Sequence, residues 1–259
     1  MLSISSYKYA YLLGCLYFLL VWLILFFRLK DKRKSMLVIG LLWMWTGVVC
    51  EYFFWLKDWW RPQNITGTFI GLEDFILSFA HLGVAIFVYK YVFKKDSRGS
   101  AQENGKKAVI RLAAVLVLLL GSMTTLYYVF LIPSYISTTA SLFIAGIFLA
   151  SKRPDLMRPG AWTAILLFAI TGVMFLFGKL VYPDIIIQLW YPATSGTILG
   201  FYPLADAVWY LALGFLMGGV YEYTFNKKFV VSKNPSLKDD VLGIYQIIKR
   251  FIKGESLIG

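Results

Sequence analysis

Histidine is almost absent from this sequence. His81 is the single one, which excludes the multi-histidine clusters of membrane di-iron oxygenases and desaturases. Cysteine is nearly as scarce: Cys15 and Cys50 both fall in apolar runs, so neither a disulfide framework nor a metal site is indicated, and packing is their expected role. No GxGxxG or Walker-type loop suggests a nucleotide or a flavin. No DDxxD run suggests diphosphate-binding prenyl transfer, and no lysine between Pro203 and Phe225 could carry a retinal Schiff base. A small-residue cleavage pattern is also missing after the first apolar run, so that run is expected to stay as a helix.

What the chain does have is apolar sequence. Of 259 residues 59% are hydrophobic and 18% aromatic, with a mean hydropathy of +0.68, above the roughly half-apolar norm of soluble domains. A membrane span needs about 20 mostly apolar residues. Seven such runs are read, at 8–28, 36–56, 72–93, 108–131, 134–151, 160–182 and 203–225. The expected fold class is therefore an all-α integral membrane protein. The net charge of +12 does not point to nucleic acid, because the cations sit in alternate loops: Arg28 to Lys34, Lys94 to Lys107, Lys152 to Arg158, and Lys227 with Lys228. Short Lys/Arg-rich loops stay cytoplasmic. The prediction is a multi-pass protein of the cell membrane with its N-terminus outside and its C-terminus cytoplasmic.

The sequence also repeats itself. Trp60-Arg-Pro62 recurs as Trp190-Tyr-Pro192, Thr66-Gly67-Thr68 as Ser195-Gly196-Thr197, Asp74 as Asp206, and Tyr89-Lys-Tyr91 as Tyr221-Glu-Tyr223. From Asp74 onward the register is constant. Both copies run in one direction across the membrane, which predicts two same-orientation three-helix repeats, about 7–95 and 134–227, joined by a linking helix at 108–131 within a membrane domain of 1–229. A shared site between the halves is then expected. Trp59, Trp60, Trp190 and Tyr191 in the outer loops fit an interfacial aromatic belt, or the mouth of that site. Residues 94–107 read as a flexible polar loop. The tail, 230–259, reads as a basic amphipathic helix on the cytoplasmic leaflet, with Val241, Ile244, Tyr245, Ile248, Phe251 and Ile252 at helical spacing beside Lys249, Arg250 and Lys253.

Ionisable residues inside a bilayer are functional candidates because they are expensive to keep there. They are Glu51, Glu73, Asp74, His81, Lys179, Asp206 and Glu222. Asp74 and His81 are seven residues apart and share a helix face. Asp206 holds the place of Asp74 in the second half. His81 is expected to be a buried hydrogen-bonding residue, Glu222 to form a surface ion pair near Lys90, and Lys179 to pair with Asp184 or snorkel. Glu51 is an alternative acid. What such groups allow is acid catalysis in an apolar pocket, where a carboxylic acid that keeps its proton can protonate an alkene.

Two same-orientation halves, each with a Pro-x-Glu-[Glu/Asp]-type start to its last helix, resemble the integral-membrane lycopene cyclase domain family, the small polytopic carotenoid cyclases. The first half reads Gly71-Leu72-Glu73-Asp74-Phe75, with both acids but no proline; the second reads Pro203-Leu204-Ala205-Asp206, with the proline but no glutamate. The resemblance implies a cofactor-free, metal-free and redox-neutral isomerisation. An acid protonates the terminal double bond of a linear carotenoid, the cation closes a ring, and a base removes a proton. Glu73, Asp74 and Asp206 are the catalytic residues it implies. Trp43, Trp45, Phe53, Phe54, Trp209 and Tyr210 are expected to bind substrate and shield the cation with their π faces.

The expected function is thus a lycopene-cyclase-like intramolecular lyase or isomerase acting on a hydrophobic polyisoprenoid. Two alternatives stay open: a hydratase in which water traps the same cation, and a non-catalytic transporter or lipid-binding protein of the same fold. Its partners are expected to be the substrate and the lipid bilayer, with self-association or contact with other carotenoid enzymes open and nucleic acid excluded.

Overall fold

In the computed structural model, which describes residues 4–99 and 105–252, seven helices are long and apolar enough to cross a membrane. A 3-10 turn, Ile4–Tyr9, leads into α1, Ala10–Arg28. α2 runs Arg33–Cys50, widens into a π turn over Glu51–Trp55 and ends with Leu56–Asp58. α3 is Leu72–Val92. α4 is Gly105–Thr124, extended by a second π turn, Thr125–Val129. α5, Ser134–Lys152, α6, Met157–Val181, and α7, Leu204–Thr224, complete the spans, and α8, Leu237–Ile252, lies beyond them.

α3 and α7 are the buried centre, with 67% of each span's most apolar stretch inside the bundle. α1 and α2 pack on α3, α5 and α6 pack on α7, α3 packs on α7, and α4 lies against α5. Leu13, Leu16, Leu20, Ile24 and Phe27 of α1 are exposed on the rim, where acyl chains rather than water would cover them. Apolar burial between helices gains little in lipid, so close approach carries the packing. α6 and α7 show this: a Cβ on Gly214 would stand 2.5 Å from the Cα of Ala164.

Two antiparallel pairings tie the halves together. At the Lys/Arg-rich end β1, Lys95–Gly99, pairs with β4, Lys227–Val231, with Ser97 opposite Phe229. These partners differ by 132 positions, as do Lys94 and Asn226, both left-handed, with φ of 52° and 48°. Most of the stretch expected as a flexible loop over 94–107 is therefore strand or helix. At the opposite end Trp60 and Trp190 form an isolated bridge, and a short hairpin, β2 (Thr197–Ile198) with β3 (Tyr202–Pro203), precedes α7.

Between these ends lies a buried ion pair. Lys90 Nζ is 2.8 Å from Glu222 Oε1, each side chain 1% exposed. Ser97 donates to the same oxygen at 2.5 Å. The ammonium stands 4.6 Å from the ring of Phe87 and 4.3 Å from that of Tyr221, close enough for cation–π attraction. The expectation of a surface pair is corrected: strands cover it. α8 forms as expected, but it is tied to the bundle, with Arg28 3.0 Å and Lys94 3.0 Å from Asp240 and Asp239 respectively, and Tyr91 donating to Asp240. Ser236 and Lys94 hold the Asp239 carboxyl down at about 2. The side chains of Ile244, Ile248, Lys249, Arg250, Phe251 and Ile252, and Lys253 itself, lie outside the described residues.

Candidate active site

Glu51 opens the π turn of α2. A π turn takes up an extra residue and re-aims the helix face that follows it, and such turns are frequent at functional sites. Glu51 is turned inward at 3% exposure. Its carboxyl lies beside that of Asp74 and within reach of the Tyr11 hydroxyl, and its Oε2 has no hydrogen-bond partner among the described residues. Asp74 is the third residue of α3. Its Oδ2 accepts the Gly71 N–H at 2.7 Å, and its Oδ1 accepts the Tyr11 hydroxyl at 2.5 Å. Asp74 so caps its own helix from the third position. Two adjacent carboxyl groups hydrogen-bond only when one of them carries a proton, because a carboxylate has none to give. Glu51, Asp74 and Tyr11 form one buried cluster of ionisable groups.

Asp206, the third residue of α7, is held differently. Its Oδ2 accepts the indole N–H of Trp190 at 2.7 Å and that of Trp59 at 3.4 Å. Trp59 and Trp190 are buried, at 4% and 5% exposure, so the interfacial-belt reading is corrected for both: their ring nitrogens serve an acid inside the protein.

Glu51, His81 and Asp206 line one cavity of about 390 Å³. Its wall is aromatic. Trp55, Trp59 and Trp209 meet edge to face, with centroids 5.7, 5.7 and 5.8 Å apart. The His81 ring lies 4.7 Å from Phe18, 5.1 Å from Tyr210 and 5.4 Å from Trp209, and its buried Nε2 has no partner among the described residues. Leu13 of α1, Phe177 and Val181 of α6 and Leu120 of α4 line the cavity and are also exposed on the rim of the bundle. The cavity is therefore reachable from the bilayer on two sides.

Acids and aromatic faces around a lipid-accessible apolar cavity suit chemistry on a hydrophobic polyene. Residues 6–92 and 133–224 match the family described as lycopene cyclase. The chain belongs to the lycopene cyclase family. The two matched segments contain α1 to α3 and α5 to α7, leaving α4 between them, as a two-half lycopene cyclase domain would. No curated protein and no solved structure matches the chain. Membership in the family supports a carotenoid-cyclase-like function for this membrane protein.

The structure gathers some of the residues singled out from the sequence and separates others. Asp206, Trp43, Trp209 and Tyr210 line the cavity, and Asp74 stands behind Tyr11, which does line it. Glu73 is buried but faces away from Asp74: its Oε1 accepts the Ile65 N–H at 2.7 Å, in the loop before α3. Trp45 and Phe53 are 59% and 47% exposed on the outside of the bundle, where Trp45 meets Phe75 and Phe53 meets Tyr52. Phe54 is buried between Tyr127 and Tyr128 of α4. None of these three aromatics, expected from the sequence to bind substrate, is part of the cavity lining. Lys179 forms no ion pair with Asp184 among the described residues. Tyr11 and Trp55 carry no sequence signal beyond their aromatic character, and for Trp59 and Trp190 the sequence offered the mouth of the site only as an alternative to the belt.

The lycopene cyclase motif departs from its pattern for a local reason. At Gly71 a proline would remove the N–H that Asp74 accepts. A Cβ there would also stand 2.6 Å from both Asn64 Cβ and Glu73 Oε2. At Pro203 the N–H is missing, and Asp206 takes its bonds from indoles instead.

Proposed function

We propose that this chain cyclises the end of a linear carotenoid, or a related polyisoprenoid, by proton transfer within the cavity. The observation that carries the reading is the convergence of Glu51, Asp206 and His81 on one aromatic, lipid-accessible space. Glu51, backed by Asp74 and Tyr11, donates its proton to the terminal alkene. The neighbouring double bond attacks the resulting cation, closing the ring and moving the positive charge along the chain. Asp206 and the faces of Trp55, Trp59 and Trp209 stand opposite that charge. His81, in the tautomer with its proton on Nδ1, takes a proton from the carbon next to the cation at Nε2 and leaves a ring double bond. Return of that proton to Glu51 restores the enzyme, and product and substrate have the same mass.

The reading includes an arrangement of the chain. The two halves are same-orientation repeats about a pseudo-two-fold axis between α3 and α7, supported by the 132-residue offset between β1, Lys95–Gly99, and β4, Lys227–Val231, which pair with each other. The basic end faces the cytoplasm, supported by the loop charges. Reporters fused after Lys34, Lys152 or Lys228 would then read cytoplasmic, and an external signal from any of them would overturn the orientation.

The test of function is to express the chain in a host that accumulates lycopene and to resolve the pigments by chromatography and mass. A cyclic isomer of unchanged mass supports the proposal. A product heavier by one water makes the protein a hydratase. Unchanged pigment beside well-expressed, membrane-inserted protein, with shorter and longer linear carotenoids also unchanged, overturns catalysis.

A further inference from the structure

A second cavity, of about 660 Å³, opens at the basic end, away from the acids. Lys95 of β1, Lys228 of β4, Arg158 of α6 and Arg153 line it, against one carboxylate, Asp155. That carboxylate is already engaged: Arg153 holds it by two hydrogen bonds, at 2.7 and 2.6 Å, and turns its remaining donors to Asn226 and the Lys227 carbonyl. The side chains of Lys95, Arg158 and Lys228 make no hydrogen bond and no ion pair among the described residues. Four cations facing one concavity with a single carboxylate among them leave an excess of positive charge, so the space is favourable to an anion.

The surface beside the cavity indicates the kind of anion. Trp162 and Ile165 follow Arg158 at four and seven residues along α6, on the same face, and both are exposed, at 39% and 51%. Trp162 meets Phe93 at 5.2 Å. A positive pocket at the end of a span, then a tryptophan, then an exposed apolar stripe is the order in which a phospholipid presents headgroup, interface and acyl chain. We propose that this cavity binds the phosphate of an anionic membrane lipid, with its acyl chains lying along Trp162 and Ile165. Lys95 follows the last helix of the first half and Lys228 the last helix of the second. The bound headgroup therefore bridges the halves beside the β1–β4 ladder and stabilises the folded protein.

The experiment is thermal unfolding of the purified full chain in a non-ionic detergent. It is titrated in parallel with short-chain phosphatidylglycerol, short-chain phosphatidylcholine and inorganic phosphate. The expected result is a saturable rise in Tm with phosphatidylglycerol, absent with phosphatidylcholine and inorganic phosphate. Lys95→Gln, Arg158→Gln and Lys228→Gln combined should abolish the rise. Lys30→Gln, Lys34→Gln and Lys152→Gln combined, with the same loss of charge outside the cavity, should keep it. Should the first triple variant fail to fold, Arg158→Gln alone should raise the half-saturating lipid concentration about fivefold, the effect of one cation near an anionic surface. Equal loss in both triple variants means unspecific surface attraction and overturns the site. A rise with inorganic phosphate that the first triple variant abolishes overturns the lipid as its ligand. These readouts involve no turnover, so they stand or fall apart from the cyclase reading.

Discussion

Asp74 and Asp206 occupy corresponding places, each the third residue of a central helix, yet they are held by opposite means. Asp74 takes a backbone N–H from Gly71 and a phenol from Tyr11, and it adjoins a second carboxyl, Glu51. Asp206 takes two indole N–H groups and has Ala205 where the first half has Glu73. The first arrangement sets two carboxyl groups side by side; the second leaves one carboxyl group among indole rings. One repeated pattern thus gives two different surroundings for an acid, and in the proposed reaction these are the proton donor and the counter-charge, because what differs is the set of donors brought to each. The same division appears at Lys90 and Glu222, where corresponding positions carry opposite charges and meet.

The largest effect expected is on turnover. Glu51→Gln keeps the shape and removes the proton, so turnover should fall on the order of 10²–10⁴-fold, while Asp206→Asn, which removes a charge opposite the cation, should cost about 10²–10³-fold. Glu73→Gln, with its oxygen still on the Ile65 N–H, should change turnover less than about tenfold. Pigment analysis of membranes with matched protein levels reads all three. A silent Glu51→Gln beside an inactive Glu73→Gln would return the acid to Glu73 and break the comparison as drawn.

Next in size is the ion pair. Lys90→Met leaves Glu222 buried without its partner and should lower stability by about 3–5 kcal/mol. Adding Glu222→Gln should recover much of the loss, since the stranded charge is then gone. Unfolding in detergent, followed by tryptophan fluorescence, measures both; a double variant no more stable than the single one would mean that the pair does not act as a unit.

Restoring the family proline sharpens the contrast at the helix starts. Gly71→Pro removes a donor to Asp74 and collides with Asn64, which should cost about 1–3 kcal/mol. A variant as stable as the parent would show that the Gly71 contact is not what holds Asp74.

The donors themselves are separated by a pair of effects, of which the second is the smallest expected. Tyr11→Phe, which removes a short hydrogen bond to a carboxyl, should cost about 1.5–3 kcal/mol. Trp59→Phe, at a 3.4 Å contact, should cost about 0.5 kcal/mol or less in hydrogen bonding. Equal losses in thermal stability would deny that Asp74 is the more tightly held of the two.

Much of the fold is legible in the order of residues. Apolar runs of span length are read without tertiary information, because each span must satisfy its backbone internally. All seven runs are helices, with ends shifted by a few residues. Asp74 and Asp206 are legible because their positions repeat. Glu51 is visible only as an alternative, since nothing in the sequence marks the π turn that aims it. The roles of Trp59 and Trp190 are hidden for another reason: an interfacial indole and one that serves a buried acid have the same composition and the same loop. Trp45, Phe53 and Phe54 lie off the cavity lining, and in so aromatic a chain ring content does not reveal which helix face meets the cavity.

The number of spans, the alternation of basic loops and the family follow from the sequence without its folding, since hydropathy and charge act locally along the chain. Which acids lie side by side, and which indoles reach Asp206, follow only from the packed bundle. So does the meeting of Lys90 and Glu222 out of water, and so does the gathering of four cations around one cavity with a single carboxylate. Each of these is a distance between residues far apart in the chain, and electrostatic and hydrogen-bond energies depend on that distance and on the burial around it.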